Sequence, residues 1–330
     1  MQPPENEEVG MAGPDRSAPP VDACPVDLRG IVPSLNTPFT ADGAVDLESL
    51  GRLIDHLVEA GAAGALANAV AAEVESLTVG ERRRMLDLIL ETNAGRLTII
   101  VGVSSPEVEA SVGLAREAAE AGAGAINWRA PPGLGDDQLR RAVRRIAEAG
   151  PELLVLQDLD FQGPGLAVET ILALAEAEPK LRSVKIESAM PGPKISRLLR
   201  ESGGRLHVMG GWPTTSMLDT LARGAHAFMP SHMIGALVRL ARLQREGQDA
   251  LAGLLFERLL PLFAFVAQHI HVSLRVGKML RVAEGVFRTE VCRPPVTTFD
   301  PRMEVEARRL ALRSLAIGRE IEALLGEGVD

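Results

Sequence analysis

Lysine chemistry in this chain of 330 residues is limited to four side chains, those of Lys180, Lys185, Lys194 and Lys278. Among them, only Lys185 lies inside an apolar stretch of the kind that predicts a buried strand. Burying an ammonium costs several kcal/mol unless it is paired, so burial favours the neutral amine. A neutral amine attacks a ketone, and the resulting iminium withdraws electrons from the adjacent carbon. Lys185 is therefore the first candidate for covalent catalysis.

Glu187 follows Lys185 by two residues, so side-chain alternation in a strand places both on one face, about 7 Å apart along the strand. We expect its carboxylate either to pair with the ammonium or to move protons. A buried Lys–Glu ion pair without any chemistry fits the same pattern, because structural ion pairs also perturb pKa values. The residues alone leave both interpretations open.

Further polar or flexible positions follow other apolar stretches. One stretch ends at Gln157, and another is followed by His232, a candidate acid–base group. The pair Gly210-Gly211 permits close backbone approach and is compatible either with a phosphate cradle or with a plain tight turn. The segment of Val70, Ala71, Ala72 and Glu73 combines small side chains, which leave backbone N–H groups open, with a carboxylate that also suits a helix N-terminal cap.

Composition excludes several classes of mechanism and partner. The chain has no tyrosine, so no phenol serves as acid, base or nucleophile. The formal net charge of −9 argues against nucleic acid or an anionic membrane as the main partner. Cys24 and Cys292 form neither a disulfide framework nor a zinc motif, and no secretory signal or membrane-spanning stretch is evident. We expect a cytoplasmic protein without a metal or another cofactor.

The elements that position these residues alternate regularly. The predicted strands are 31–35, 64–69, 97–102, 125–128, 153–157, 183–187, 206–210 and 226–230. The predicted helices between them are 47–60, 79–92, 107–121, 136–149, 168–177, 194–201 and 215–223. Eight such units predict a (β/α)8 TIM barrel, whose active site lies at the C-terminal ends of the strands. An open, doubly wound sheet is the alternative, but no glycine-rich dinucleotide turn follows the first strand.

The pattern divides the chain into three parts. Residues 1–26 contain six prolines and many acidic side chains, which predicts a disordered arm. Residues 27–232 form the predicted barrel. Residues 233–330 contain helical patterns over 233–284 and 304–325, which predict a C-terminal helical extension.

From about residue 28 to residue 325, the chain resembles the dihydrodipicolinate synthase/N-acetylneuraminate lyase superfamily of class I aldolases. The resemblance lies in Gly30-Ile31-Val32-Pro33, Thr37-Pro38-Phe39, Glu73 with Leu77-Thr78 and Glu81-Arg82, Val101-Gly102-Val103-Ser104, Ser183-Val184-Lys185-Ile186-Glu187 and Gly210. It implies that Lys185 forms a Schiff base with pyruvate or another 2-oxo acid. It also implies a cofactor-free homo-oligomer, either a dimer or a tetramer.

The chain departs from the family pattern where the family uses hydroxyl groups. The Thr-Thr-Gly-Glu turn that binds the substrate carboxylate corresponds here to Val70-Ala71-Ala72-Glu73, which retains only backbone amides and Glu73. The strand-5 tyrosine corresponds to Gln157, and the tyrosine after strand 4 falls near Ala130-Pro131. An amide is not an acid, so the usual proton relay is absent.

The sequence therefore predicts a Schiff-base lyase that acts on a 2-oxo acid by aldol chemistry or dehydration. Lys185 is the expected nucleophile, Glu187 the expected proton carrier and Gln157 the group that orients a hydroxyl or water. The expected substrate-binding positions are Val70, Ala71, Ala72, Glu73, Gly210, Gly211 and His232. Two alternatives remain: a degenerate barrel that acts as a ligand-binding or scaffold protein, and a phosphate-dependent barrel enzyme using Gly210-Gly211.

Overall fold

A computed structural model describes residues 26–326 and shows strands and helices in alternation. The strands are β1 (Gly30–Ile31), β2 (Gly64–Ala67), β3 (Thr98–Gly102), β4 (Ala125–Arg129), β5 (Leu153–Asp160), β6 (Leu181–Ser188), β7 (His207–Gly210) and β8 (Ala227–Phe228). All of the pairings between these strands are parallel. Near-continuous apolar strands such as β3 are expected in a parallel sheet that is covered on both faces.

The sheet closes into a barrel. The strand order is β1-β8-β7-β6-β5-β4-β3-β2. The remaining gap, between β1 and β2, is closed by a parallel bridge between Ser34 and Leu66 and by hydrogen bonds from Leu35 N to Leu66 O (2.9 Å) and from Leu66 N to Pro33 O (2.8 Å). The (β/α)8 prediction is confirmed, and a doubly wound open sheet is excluded by this closure.

Helices follow the strands and then continue beyond the barrel. They are α1 (Leu47–Glu59), α2 (Val79–Asn93), α3 (Val108–Glu120), α4 (Asp136–Ala149), α5 (Val168–Ala177), α6 (Pro191–Ser202), α7 (Met217–Ala222), α8 (Ile234–Arg245), α9 (Asp249–Glu257), α10 (Leu260–Val266), α11 (Ile270–Ala283) and α12 (Pro301–Gly326). Gly61 and Gly122, just after α1 and α3, have φ angles of +78° and +88°. Each takes the left-handed conformation that turns the chain towards the next strand.

Two apolar regions hold the barrel together. Inside it, inward side chains of the strands pack on one another, among them Leu66, Ile100, Val155 and Met209. Outside it, the helices cover the opposite face of the strands, where Trp128 is fully buried. No helix in the described residues is long and apolar enough to cross a membrane.

The structure corrects several predicted boundaries. Strand β1 ends at Ile31, before Pro33, which has no N–H to donate to a ladder. Strands β5 and β6 extend beyond their predicted ends, because their pairing continues to Asp160 and Ser188. The predicted arm of residues 1–26 lies outside the described residues except for its last one, and the boundary at residue 232 stays a prediction.

Close backbone packing at Gly102 yields a test of the barrel edge beside the loop after β2. A Cβ atom on Gly102 would lie 2.3 Å from the carbonyl oxygen of Asn68, so Gly102→Ala must displace this loop. We expect Gly102→Ala to lower the free energy of unfolding by about 1–3 kcal/mol, measured by urea denaturation. Gly113→Ala, in α3 with open space around it, is the control and is expected to raise it by about 0.5–1 kcal/mol. Equal effects of the two variants would contradict this account.

Candidate active site

A cavity of about 230 Å³ lies at the mouth of the barrel, where the C-terminal ends of the strands meet. Its wall includes side chains from β5 and β6 and from the loops after β2, β7 and β8. Phe161 and Trp212 both line this cavity, with ring centroids 5.8 Å apart. We call it the lysine cavity, because Lys185 is part of its wall.

Lys185 and Glu187 form an ion pair inside the mouth. Lys185 Nζ lies 3.1 Å from Glu187 Oε1, and the two residues are only 4% and 5% exposed. The alternation of β6 points both inward, as the sequence predicts. A buried charge of either sign is costly unless its partner and further hydrogen bonds are present.

Glu187 receives hydrogen bonds at both carboxylate oxygens. The backbone N–H of Trp212 donates to Oε1 (2.8 Å), and Gln157 Nε2 donates to Oε2 (2.6 Å). An ionised carboxylate accepts only, so the Gln157 amide must present its NH₂ group to Glu187. Its Oε1 then accepts from Asn127 Nδ2 at 2.9 Å. Asn127, on β4, thus fixes the orientation of Gln157, which in turn holds Glu187.

The two glycines after β7 have different roles. A Cβ atom on Gly211 would lie 2.3 Å from Glu187 Oε1 and 2.6 Å from Lys185 Cε, so this backbone approaches the ion pair closely. Gly210 instead faces Thr220 and Phe228 and is not part of the cavity wall. The prediction that Gly210 contacts substrate is therefore corrected: its place is in packing between strand and helix.

The loop after β2 forms a short 3₁₀ turn over Val70–Ala72. The backbone N–H groups of Val70 and Ala71 are the first of this turn and donate no backbone hydrogen bond in the described residues. Both residues line the lysine cavity. Asn36 Nδ2 and Thr37 Oγ1 hold the loop from behind, by donating to the carbonyls of Ala71 (3.0 Å) and Ala72 (2.7 Å).

Ala72 and Glu73 do not contribute to the lysine cavity as predicted. The amide N–H groups of both donate within the turn, to Ala69 O and Val70 O. The Glu73 carboxylate points away and pairs with Lys278, while the backbone N–H of Arg293 donates to Glu73 Oε2 (3.0 Å). Glu73 does not cap α2 either, because Thr78 and Glu81 form the capping box of that helix.

Lys278, on α11, is a second buried lysine that the sequence pattern did not distinguish. It is fully buried, donates to Val291 O at 2.6 Å and lies 4.2 Å above the ring of Phe39. Burial lowers the pKa of Lys278, opposed by the negative charge of Glu73. Lys278 does not line the lysine cavity. It ties α11 to the loop after β2.

His232 lies in the wall of the lysine cavity as a neutral ring. Burial lowers its pKa to about 4, and its Nε2 donates to the carbonyl of Ser273 at 2.9 Å. The ring is therefore not an acid at neutral pH. Nδ1 is left as an acceptor.

A second chamber of about 270 Å³ adjoins the lysine cavity. The two share wall residues Ala69, Val70, Glu75, Arg129, Gln157 and Ile270. Among the described residues, no group of three His, Cys, Asp or Glu side chains is placed to hold a metal ion.

A closed (β/α)8 barrel with a buried lysine in the cavity at its mouth defines a class of lyases that work through a lysine Schiff base. The chain belongs to the Dihydrodipicolinate synthetase family, which matches residues 27–312. It is a Schiff-base lyase of the class I aldolase type that acts on a 2-oxo acid, and the sequence prediction of this class is confirmed.

Relatives of known name cover most of the chain. A 4-hydroxy-tetrahydrodipicolinate synthase of Parasynechococcus marenigrum is 31% identical over 254 residues, covering 74% of this chain and 82% of that protein. One of Salinibacter ruber is 29% identical, covering 86% and 94%. The dihydrodipicolinate synthase structure from Rhodopseudomonas palustris gives a TM-score of 0.79 at 27% identity, covering 86% and 97%. A sialic acid aldolase of Ruminococcus gnavus gives 0.80 at 18% identity, covering 89% and 99%, which shows the fold alone.

The Lys278–Glu73 pair yields a stability test. Glu73→Gln leaves a buried ammonium without its carboxylate, so we expect the free energy of unfolding to fall by about 3–5 kcal/mol in urea denaturation. The double variant Glu73→Gln/Lys278→Met removes both charges and is the matched control, expected to regain most of that loss. A double variant as unstable as the single one would contradict the ion-pair account.

Proposed function

We propose that Lys185 Nζ attacks the ketone carbon of the 2-oxo acid in the lysine cavity and that Glu187 moves the protons of the reaction. The observation that carries this proposal is the buried Lys185–Glu187 pair in the wall of that cavity. A structural pair has no need of a cavity beside it. The reactive amine of this class, by contrast, must meet a ligand.

All the proposed steps use one covalent bond, between the Lys185 nitrogen and C2 of the substrate. The Lys185 nitrogen bonds to C2 of the substrate, and the ketone oxygen leaves as water to form an iminium. Loss of a C3 proton, or cleavage of the C3–C4 bond with release of an aldehyde, moves an electron pair into the iminium and forms an enamine. That enamine then adds an aldehyde, takes up a proton at C3 or expels a hydroxyl as water, and each route leaves an iminium on Lys185. Water hydrolyses this iminium, which restores the ketone in the product and the free amine of Lys185. Aldol and dehydration reactions therefore share this intermediate.

The substrate carboxylate is proposed to bind the N–H groups of Val70 and Ala71. These two donors are open, line the lysine cavity and belong to a loop that Asn36 and Thr37 hold from behind. Backbone N–H groups that point into a cavity bind anions without the hydroxyl groups of the family turn. The methyl side chain of Ala71 also makes this part of the wall apolar.

Glu187 is proposed as proton carrier because its position is fixed independently of Lys185. Gln157 and the Trp212 N–H hold the carboxylate after the amine becomes an iminium. Gln157 itself carries no exchangeable acidic proton, so its role is to orient Glu187 and a substrate hydroxyl or water. Gly211 completes the arrangement, because any side chain there would displace the pair.

Three further properties belong to the proposal. We expect no cofactor, because the iminium itself is the electron sink. We also expect a homo-oligomer, a dimer or a tetramer, as the family resemblance implies. A cytoplasmic location fits two distant cysteines, Cys24 and Cys292.

The Schiff base is tested by borohydride trapping with pyruvate. We expect the intact mass of the protein to increase by one reduced pyruvate adduct, which peptide mapping places on Lys185, because reduction makes the C–N bond permanent. Lys185→Ala is expected to lose the adduct, and Lys180→Ala, a control at a half-buried lysine that pairs with Glu152 outside the lysine cavity, is expected to keep it. An unmodified wild-type protein, or trapping that survives in Lys185→Ala, would favour a ligand-binding barrel without chemistry.

The role of Glu187 is tested by exchange of the C3 protons of pyruvate in heavy water, followed by NMR. We expect Glu187→Gln to form the borohydride adduct but to exchange at least about 100-fold more slowly, because a positioned base typically contributes a factor of 10²–10⁴. Glu284→Gln is the matched control, since Glu284 pairs with Arg281 (3.0 Å) in a buried ion pair outside both cavities. It should exchange at the wild-type rate. Unchanged exchange in Glu187→Gln would remove Glu187 from the mechanism.

A further inference from the structure

The second chamber continues the lysine cavity towards β3 and β4. Arg129, at the end of β4, lies in the wall of both spaces. A ligand whose ketone carbon is bonded to Lys185 therefore shares the lysine cavity with Arg129. The chemistry of this wall indicates what the far end of such a ligand carries.

Three arginines line the second chamber, and two have partners in the protein. Arg293 donates to Glu81 Oε1 (2.6 Å) and Oε2 (3.0 Å), to Ser76 O and to Gly43 O. Arg82 donates to the carbonyl of Val74, and the negative charge of Glu75 acts on it. These two guanidinium groups hold the surrounding loops in place.

Arg129 differs from both. Its backbone N–H donates to Ser104 Oγ (2.9 Å), in the loop after β3. Its guanidinium makes no hydrogen bond, ion pair or ring contact with any other residue of the described chain. A guanidinium presents five donors in a rigid fork, which matches a carboxylate bidentately. A half-buried arginine at a cavity wall with no internal partner is thus set up for an anionic ligand.

The position of Arg129 relative to the nucleophile is fixed by strand register. Arg129 is paired with Gln157, and Gln157 with Lys185, across three neighbouring parallel strands. Because adjacent strands lie about 4.8 Å apart, the Cα atoms of Arg129 and Lys185 are about 10 Å apart. All three residues line the lysine cavity, so a ligand in that cavity lies beside both Arg129 and Lys185.

The carboxylates nearby do not neutralise Arg129. Glu73, in the wall of the second chamber, is paired with Lys278. Glu75 is exposed and acts on Arg82. Glu187 is held by Lys185, Gln157 and the Trp212 N–H. Among the described residues of this wall, Arg129 is the cation without a partner.

We propose that Arg129 binds a second carboxylate at the far end of the 2-oxo acid, so that the substrates of this protein are dicarboxylic 2-oxo acids. Val70 and Ala71 hold the carboxylate beside the ketone, Lys185 bonds to C2, and Arg129 forms a bidentate ion pair at the other end. This inference rests on the proposed function, because it takes Lys185 as the point of attachment.

The test compares two ligands of equal chain length, 2-oxoglutarate and 2-oxovalerate, which differ at the far end by a carboxylate against a methyl group. Borohydride trapping is measured as a function of ligand concentration. In the wild-type protein we expect half-maximal trapping at an at least about tenfold lower concentration of 2-oxoglutarate, since a charge-assisted bidentate pair is gained. In Arg129→Gln this preference is expected to disappear.

The control variant is Arg140→Gln, which removes the same charge from the exposed surface of α4. It should keep the wild-type preference. If Arg140→Gln loses the preference as fully as Arg129→Gln does, the effect is one of overall charge and the inference is wrong. It is equally wrong if the wild-type protein traps both ligands alike, or if Arg129→Gln retains the preference.

Calorimetry on Lys185→Ala separates this inference from the proposed function. That protein forms no Schiff base, so it reports only non-covalent binding. We expect it to bind 2-oxoglutarate more tightly than 2-oxovalerate, and we expect Lys185→Ala/Arg129→Gln to lose the difference. If this result is obtained while wild-type protein forms no adduct, the Schiff-base function fails and the Arg129 site stands. If adducts form but neither assay shows a dependence on Arg129, the site fails alone.

Discussion

The constraint on which the mouth of this barrel depends is the burial of two opposite charges, Lys185 and Glu187, with 4% and 5% exposure. Coulomb attraction at 3.1 Å does not by itself offset the loss of hydration of both groups. The surrounding chain supplies what is missing. A backbone N–H and an amide donate to the carboxylate, and the absent side chain of Gly211 leaves room for the pair. Burial of the pair costs free energy unless these contacts are present, so few residue types are compatible with the positions of Gln157 and Gly211.

The Gln157 amide stands where the family pattern has a tyrosine hydroxyl, and its contacts here are structural. The Asn127–Gln157 hydrogen bond and the Gln157–Glu187 hydrogen bond form one directed chain across three strands. An amide holds its orientation without ionising, so this chain positions charge and does not conduct protons. Under the proposed function, proton movement is left to a carboxylate that is already fixed in place. The chain has no tyrosine, and amide groups instead hold its buried carboxylate, Glu187, in place.

The residues that local pattern located correctly are those whose placement follows from strand alternation alone. Lys185, Glu187 and Gln157 lie at the ends of neighbouring strands, and a period of two assigns their face without knowledge of the rest of the chain. Gly211 shares a face with Lys185 for the same reason. The prediction that Gly210 contacts substrate was wrong because it took both glycines of the pair, whereas Gly210 lies on the opposite face of β7 and packs on Phe228. The ends of β5 and β6 depended on how far these two strands pair with each other, which the local pattern does not show.

Glu73 and Lys278 show what local pattern cannot supply. The two are joined across more than half of the chain, and a lysine on an amphipathic helix is ordinarily a surface residue. The sequence does not distinguish Asn127 and Arg129 for a related reason. The contact of Asn127 with Gln157 depends on the pairing of β4 with β5, and the missing partner of the Arg129 guanidinium is visible only in the folded chain. Such features depend on how the helices and strands are arranged, and the spacing of residues along the sequence does not predict them.

The contact between α11 and the loop after β2 also bears on how this chain can be recombined with its relatives. Lys278 contacts the loop by pairing with the Glu73 carboxylate. The backbone N–H of Arg293, in the segment that follows α11, donates to the same carboxylate. The helices after the barrel are thus part of the scaffold of the loop after β2, to which the proposed function assigns the substrate carboxylate. A chimera that exchanges the C-terminal helices must therefore exchange that loop together with them. Removal of these helices would deprive the loop of its contacts with Lys278 and Arg293, while the strands would keep their own pairing. The Lys278–Glu73 ion pair joins the loop after β2 to α11, so the segment that must be exchanged as a whole includes residues of both the barrel and the C-terminal helices.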